Sequence, residues 1–357
     1  MRAGGPRTQA PARGKFWMDL DPVKGAVMPE QVSWSYTGSM YYSILHKTRF
    51  RYSAPVSESI TEVRMQPRSE GLQHCLRFRL VTSPLARVHS YTDCYGNIVH
   101  HFGIPAPHRT TTITAEAVVM LEPPPPLPDR LDPDAWAELD ALTGREDHWD
   151  FLAPSFFAHP TALLEALARE LEVCRRDDPL SLLRELNARL YDLFAYDPEH
   201  TEVDSPIDVA LAARRGVCQD YAHIMLALLR PLGIPCRYVS GYLFHRVEDR
   251  DRSAEDATHA WVEALLPELG WVGFDPTNNL IAGERHIRTA VGRDYADVPP
   301  TKGVYKGQAE SSLEVGVKVA PTEAPIADEE VLPVLAGQPA AVEPDEPFQA
   351  QQQQQQQ

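Results

Sequence analysis

The chain has 357 residues, 43% of them hydrophobic, and its 34 basic and 50 acidic side chains give a formal net charge of −16. That length accommodates about two domains of ordinary size. The excess of negative charge argues against nucleic acid or an anionic membrane as a partner, because both are bound by clustered lysine and arginine.

The cysteines are odd in number and scattered, and no two of them form a C-x-x-C pair. They are Cys75, Cys94, Cys174, Cys218 and Cys236. This pattern predicts reduced thiols in a cytoplasmic protein and argues against a disulfide framework or a zinc site. The first residues lack the apolar core of a secretory signal, and no run of about 18 apolar residues predicts a membrane span. We therefore expect no metal and no cofactor.

The first half of the chain predicts strands. Residues 1–39 are rich in glycine, proline and polar residues, and we interpret them as a disordered extension. Residues 40–121 contain short segments rich in β-branched and aromatic residues, several of which alternate, with a turn at "YGN". They predict an antiparallel β domain of sandwich type, followed by a proline-rich linker over 122–156.

The second half predicts a further domain over 157–320 with helices followed by strands, so that the fold class is α+β. Helical spacing of apolar residues predicts helices over 160–174, 178–196, 205–216 and from 218 to about 230. For the third helix we expect Ser205 as the N-cap and Gly216 as the end. Strands are predicted over 236–244, 259–266, 271–277 and 312–320. The tail, 321–357, is acidic, ends in seven glutamines and is predicted to be disordered.

The stretch "RRGVCQDYAHIMLALLR" places Cys218 where a helix should begin. A sulfur there lies at the positive end of the helix dipole, which favours a thiolate, and the unpaired N–H groups of the first turn can bind an oxyanion. Gly216 would let the chain turn and a substrate approach. His223 is a poor partner because five helical residues rotate a side chain by about 140° relative to Cys218.

His259 is the better partner because it begins a strand after a polar loop. The segment "HAWVEALLPELGWVGFDPTNN" predicts a hairpin that brings Asp275 beside it. Register decides this: if Leu265 pairs with Trp271, His259 and Asp275 are diagonal neighbours on one face, and if Leu266 does, they face opposite sides. The hypothesis of a Cys218–His259–Asp275 triad requires the first register.

These residues resemble a known family. The blocks "GVCQDYAH", "LGIPCRYVSGY", "HAWVEALLPELGWVGFDPTNN" and "YADVPPTKGVYKG" are similar to the bacterial transglutaminase-like superfamily, whose core is papain-like. The region before them resembles the N-terminal domain that accompanies this core. The resemblance implies Cys218 as nucleophile, His259 as general base and acid, and Asp275 as the orienting carboxylate.

Three further residues are candidates for substrate or oxyanion binding. Tyr196 can donate its hydroxyl to the oxyanion, line the cleft or belong to the core, and Gln219 follows the nucleophile. Trp261 lies on the same strand face as His259 and either shields the His–Asp pair from water or serves the core. Asp220 either binds substrate or stabilises the helix start, and the second interpretation is favoured.

The predicted function is cysteine-dependent acyl transfer on peptide or glutamine carboxamide bonds through a thioacyl-enzyme, with a peptide or protein as substrate. Hydrolysis by a peptidase or amidase is favoured slightly. A protein-glutamine transglutaminase and a non-catalytic binding or scaffold protein stay open. The acidic loop 246–258 lacks the ligand spacing of an EF-hand, which argues against calcium regulation. The oligomeric state stays open.

Overall fold

The structure is a computed structural model that describes residues 38–324 except 133, 144–145 and 247. The segments predicted to be disordered, 1–39 and 321–357, lie outside the described residues except for 38–39 and 321–324, and of these Pro321 ends a strand. Within the described part of the chain, no helix has the length and apolar character needed to cross a membrane.

The N-terminal region forms six antiparallel strands, as its alternating segments predict. They are β1 (Met40–Val56), β2 (Glu58–Val63), β3 (Gln73–Ser83), β4 (His89–Thr92), β5 (Ile98–Ile104) and β6 (His108–Leu121). Buried and half-buried residues alternate along β1 and β6, because successive side chains of a strand point to opposite faces. The strands form two sheets whose buried side chains, including Val63, Phe102 and Ile113, meet in one cluster. This is the predicted sandwich.

Five helices lie in the described middle of the chain. They are α1 (Ala135–Thr143), α2 (Ala162–Glu170), α3 (Pro179–Leu193), α4 (Ile207–Ala213) and α5 (Cys218–Leu229). α1 lies inside the predicted linker, which is therefore not a plain connector. α5 is buried along almost its whole length, including its polar residues Gln219, Asp220 and His223.

The predicted ends of α4 are wrong. Pro206 occupies the N-cap position, and the hydroxyl of Ser205 instead accepts a hydrogen bond from the backbone N–H of Glu202 (2.8 Å). The helix ends at Ala213, followed by Arg214 in the left-handed conformation. Gly216 lies beyond it in a short strand.

The helices pack on a second, antiparallel sheet. Two short strands, β7 (Ala195–Tyr196) and β8 (Arg215–Gly216), form a separate parallel pair. The antiparallel sheet consists of β9 (Cys236–Leu243), β10 (His259–Leu266), β11 (Gly270–Asp275), β12 (Leu280–Ile281) and β13 (His286–Gly292). The strand order is β12-β11-β10-β9-β13. α5 lies against alternate residues of β10, namely Ala260, Val262 and Ala264, in the main core. The α+β class is confirmed.

The chain then returns to the N-terminal sheets. β14 (Thr301–Lys306) pairs with β2, and β15 (Ser311–Pro321) pairs with β1 over most of its length. The predicted strand over 312–320 exists, but it and β14 lie in the sandwich and not in the further domain predicted over 157–320. The first and last strands of the described chain belong to one sandwich, so the helices and the second sheet are an insertion between them.

Two side-chain amides of the sandwich cover the free edge of β13. Gln73 exchanges two hydrogen bonds of 2.8 Å with the backbone of Arg288, and Asn97 does the same with the backbone of Val291. An uncovered edge strand exposes unpaired backbone groups, and here the sandwich pairs them. The edge of the core sheet is thereby held in place by the N-terminal region.

Candidate active site

Cys218 occupies the first helical position of α5, after Val217 as the N-cap. The first backbone donors that turn back onto the helix are Asp220 and Tyr221, which both bond to the carbonyl of Val217. The N–H groups of Cys218 and Gln219 precede them and are the orphan donors of a helix start. The half-buried thiol therefore lies beside two donors that suit an oxyanion.

The start of α5 is fixed by a buried carboxylate. Asp220 Oδ2 accepts a hydrogen bond from the backbone N–H of Val217 (2.7 Å) and another from the hydroxyl of Thr201 (2.6 Å). Burial raises the pKa of Asp220, and these two hydrogen bonds partly offset that effect. The prediction that Asp220 stabilises the helix start is confirmed.

Gly216 is required for a close approach and not for a turn. A Cβ at this position would lie 2.4 Å from Oδ2 of Asp220 and 2.8 Å from its Cγ. We expect Gly216→Ala to destabilise the protein by about 1–3 kcal/mol, since the methyl group would push the carboxylate off Val217. Urea unfolding measures this, and Gly38→Ala is the control because nothing lies within 4 Å of its Cβ position. Equal stability of the two variants would contradict the role assigned to Gly216.

The hairpin of β10 and β11 has the register that the triad hypothesis requires. Leu265 pairs with Trp271, and the ladder continues to Val262 opposite Phe274. His259 and Asp275 consequently face each other, with Nε2 of the imidazole 2.8 Å from Oδ2 of the carboxylate. His259 is 3% exposed and Asp275 is fully buried, so this pair is shielded from water.

Nδ1 of His259 is the nitrogen available to Cys218. Nε2 is engaged by Asp275, and Nδ1 is buried without an oxygen or nitrogen partner in the described structure. Burial disfavours the charged imidazole, but the charge and hydrogen bond of Asp275, with a hydrogen bond to Cys218, raise the pKa of His259 to about 10. At neutral pH the ring is therefore an imidazolium that can pair with a thiolate.

Asp275 is held as an anion by five donors. Its Oδ1 accepts from the backbone N–H groups of Thr277 (3.1 Å) and Asn278 (3.3 Å). Its Oδ2 accepts from His259, from the side-chain amide of Asn278 (2.9 Å) and from His286 (3.2 Å). Burial opposes the charge, but His259 and the hydrogen bonds of the two histidines hold the pKa of the Asp275 carboxyl well below its usual range.

Sequence reasoning missed Asn278 and His286. Asn278 stands three residues after Asp275 in the "DPTNN" turn, a spacing that brings its amide back to the carboxylate, and this signal was available. The side-chain oxygen of Asn278, Oδ1, also accepts hydrogen bonds from the backbone N–H groups of Arg252 (2.7 Å) and Ser253 (3.2 Å). Asn278 thus fastens the polar segment before β10 to the site.

The three supporting candidates occupy different environments. The hydroxyl of Tyr196 accepts from the backbone N–H of Ala254 (3.4 Å), and the amide of Gln219 donates to the carbonyl of Val203 (2.9 Å). Their predicted contacts with substrate or oxyanion stay predictions. Trp261 is fully buried, and its indole stacks on His259 with ring centres 5.9 Å apart. His223 stacks on Phe157 with ring centres 5.1 Å apart, and its Nε2 accepts a hydrogen bond from the backbone N–H of Tyr295 (3.2 Å).

His259, Asp275 and His286 have ligand atoms within 4.8 Å of one another, a grouping that could hold a metal ion. A metal would need an unprotonated Nε2 on both histidines. The backbone N–H of Gly283 instead points at Nδ1 of His286 (3.4 Å), which leaves the ring proton on Nε2, facing Asp275. The donor set fits a hydrogen-bonded carboxylate better than a metal centre.

Comparison with known proteins adds two family matches. Residues 42–120 match the bacterial transglutaminase-like N-terminal region, and residues 165–276 match the transglutaminase-like superfamily. The chain is 34% identical to an uncharacterised protein of Mycobacterium leprae over 278 residues, which are 77% of this chain and 97% of that one. An uncharacterised protein of Mycobacterium tuberculosis is 34% identical over 314 residues, which cover 80% of this chain and 95% of that protein.

A protein-glutamine gamma-glutamyltransferase of Pseudomonas aeruginosa is 32% identical over 170 residues, which are 44% of this chain but 25% of that protein. Among solved structures, a candidate cysteine protease of Cytophaga hutchinsonii superposes with a TM-score of 0.62 at 22% identity, with 82% of this chain and 93% of that chain covered. That likeness extends to the sandwich and the core together and bears on the fold alone.

Proposed function

Because the chain belongs to the transglutaminase-like superfamily, a family of cysteine-dependent enzymes, we propose that it cleaves peptide or glutamine carboxamide bonds through a thioacyl-enzyme on Cys218. One observation carries the proposal. His259 is buried between Cys218 and Asp275, with Nε2 on the carboxylate and Nδ1 left for the thiol. A cysteine nucleophile needs this arrangement of base and orienting group.

The proposed reaction begins with attack of the Cys218 thiolate on the carbonyl carbon. The oxygen takes the charge and is bound by the N–H groups of Cys218 and Gln219. The C–N bond then breaks, and the His259 imidazolium gives its Nδ1 proton to the leaving amine, so that the products are a thioester and a neutral imidazole. His259 next takes a proton from water or from an amine, whose attack releases the acyl group and restores the thiolate.

Water as the acceptor gives a peptidase or amidase, and an amine gives a transglutaminase. Hydrolysis is our first proposal, since water needs no binding site of its own. Transamidation is the second, and the partial match to the Pseudomonas aeruginosa glutamyltransferase favours it. The two activities share every residue up to the acyl-enzyme, so the fate of the thioester must be measured.

The test traps the acyl-enzyme. The full chain is incubated with panels of glutamine-containing and glycine-rich peptides, quenched in acid and analysed by mass spectrometry with and without a primary amine. We expect an adduct on Cys218 that is lost in Cys218→Ala, and release that is either indifferent to the amine or accelerated by it.

Alkylation distinguishes this enzyme from a scaffold protein. Iodoacetamide near pH 6 should modify Cys218 ahead of the other four thiols, and His259→Ala should remove that preference, because the thiolate is the reactive form. If Cys218 reacts no faster than Cys94 or Cys174, both of which are exposed, the thiol is not activated and the proposed function is wrong.

A further inference from the structure

A second histidine shares the oxygen of Asp275 that serves His259. His286 opens the edge strand β13, is 6% exposed and directs Nε2 at Oδ2 from 3.2 Å. The two imidazole rings lie 6.1 Å apart and converge on one carboxylate. No step of the proposed reaction involves His286 directly.

The tautomer of His286 is set by its own turn. The backbone N–H of His286 donates to the carbonyl of Gly283 (3.0 Å), and the N–H of Gly283 points at Nδ1 of the ring (3.4 Å). With Nδ1 as the acceptor, a neutral ring carries its proton on Nε2 and donates it to Asp275. Burial lowers the pKa of His286, an effect that Asp275 partly offsets and His259 reinforces, so His286 remains neutral beside the charged His259.

We propose that His286 is a positioning residue, which fixes the Asp275 carboxylate by its Nε2–H so that Oδ2 meets Nε2 of His259. The inference rests on the proposed function of the triad, for which it supplies a fourth member. The backbone donors of Thr277 and Asn278 hold only Oδ1, so the direction of Oδ2 depends on its side-chain donors.

His286 also connects the site to the N-terminal sandwich. Ile287, the next residue, is buried with Tyr42 and Val119 of the sandwich, and Gln73 bonds to the backbone of Arg288. The strand that carries the donor is therefore clamped from outside the core. A donor on such a strand fixes its acceptor more firmly than one on a loop, since rigid supports preserve catalytic geometry.

Three substitutions of His286 distinguish the effect of losing its N–H donor from the effect of losing the volume of its ring. In His286→Gln, the terminal amide can take the place of Nε2–H. In His286→Asn, the shorter amide lies near Nδ1 and cannot reach Asp275, and His286→Leu has no donor. We expect alkylation of Cys218 near pH 6 to be about 10- to 100-fold slower in the Asn and Leu variants and close to the wild-type rate in the Gln variant.

Proton NMR of the ring N–H groups provides a readout that needs no substrate. Removal of His286 deletes its own signal and leaves that of the His259–Asp275 bond, identified by its loss in His259→Ala. This signal should exchange slowly with water in the wild type and His286→Gln, and broaden in His286→Asn and His286→Leu. If His286→Leu does not fold, the comparison of Gln with Asn still decides.

Equal rates in all variants and the wild type would overturn the proposal, and so would an equal loss in all three variants, because the volume of the ring would then matter and not its donor. A different result would contradict the proposed function. If Cys218 is inert in the wild type, the acyl-transfer proposal is wrong, whereas the NMR signal still reports whether His286 orients Asp275.

Discussion

Asp275→Asn is expected to slow formation of the acyl-enzyme by roughly 10³- to 10⁴-fold, the scale seen when a triad aspartate becomes asparagine in other acyl-transfer enzymes. The asparagine keeps the shape of the side chain but replaces one acceptor oxygen by an NH₂ group. In either orientation the NH₂ group meets donors that the carboxylate accepts from: the backbone N–H groups of Thr277 and Asn278 on one side, or His259, the Asn278 amide and His286 on the other. Where the NH₂ group faces His259, Nε2 must accept, which moves the ring proton to Nδ1 and leaves no base for the Cys218 thiol. In the other orientation the negative charge that stabilises the imidazolium is still lost.

The same substitution should change the pH dependence of Cys218 alkylation. In the wild type the pKa of His259 is raised to about 10, so the ring stays protonated from neutral into alkaline pH. Its ion pair with the Cys218 thiolate is lost as the pH rises through that value. Without the carboxylate the ring loses the strongest influence that opposes burial, and only Cys218 still raises the pKa of His259, so we expect the imidazolium to be lost at a lower pH than in the wild type. The measurement is the site-resolved alkylation rate between pH 5 and 10, over which we expect the advantage of the wild type to be largest near neutrality.

Asp178→Asn is a matched control for this experiment. Asp178 is also a buried aspartate, but it caps α3 through the N–H groups of Leu180 and Ser181, and asparagine caps a helix about as well. We expect its alkylation profile to follow that of the wild type. If Asp275→Asn also retains the wild-type profile, Asp275 does not orient His259 and the triad hypothesis fails.

Local patterns in the sequence predict the part of the site that depends on neighbouring strands. Alternation and the apolar hairpin give β10 and β11, and one choice of register, Leu265 opposite Trp271, is enough to bring His259 to Asp275. The start of α5 at Cys218 likewise follows from the apolar period of the helix. These features involve contacts within about one supersecondary unit, where local preferences act.

His286 could not be predicted in the same way. Its ring reaches Asp275 because β13 joins the opposite edge of the sheet from β12 and because the turn from Gly283 folds the side chain back. The pattern of "HIRTAVG" predicts a strand but not its neighbours. The same limit explains β14 and β15, whose pairing with β2 and β1 spans more than 200 residues of sequence and depends on tertiary packing.

Trp261→Ala is expected to cost about 3–5 kcal/mol of the free energy of unfolding, the range for loss of a large buried aromatic side chain. The indole is fully buried in a slot that two glycines of the flanking strands keep open. A Cβ at Gly241 would lie 2.7 Å from the ring, and one at Gly273 would lie 3.5 Å from its Nε1. The two glycines have no side chains that could move into the space that alanine would leave, so we expect a large cavity term.

This substitution separates the two interpretations of Trp261, shield and core, by its effect on the histidines. The ring contacts both His259 and His286, with centroids 5.9 and 5.1 Å away. Its removal would open a path for water to the His259–Asp275 bond and weaken the electrostatic effect of the carboxylate, because that effect depends on a dry environment. If Trp261 shields the pair from water, Cys218 alkylation should be slower in the variant under conditions where it is still folded. If Trp261 serves only the core, the rate should be unchanged.

Trp261→Phe and Trp149→Ala complete the comparison. Phenylalanine keeps an aromatic ring over His259 and removes an indole N–H that has no hydrogen-bond partner within the described structure, so we expect a smaller loss of stability and a nearly unchanged alkylation rate. Trp149 is 73% exposed, and its replacement should change stability by no more than about 0.5 kcal/mol. Denaturant unfolding of all three variants measures these differences. A cost below about 1 kcal/mol for Trp261→Ala would mean that the slot collapses on itself and that the glycines do not hold it open.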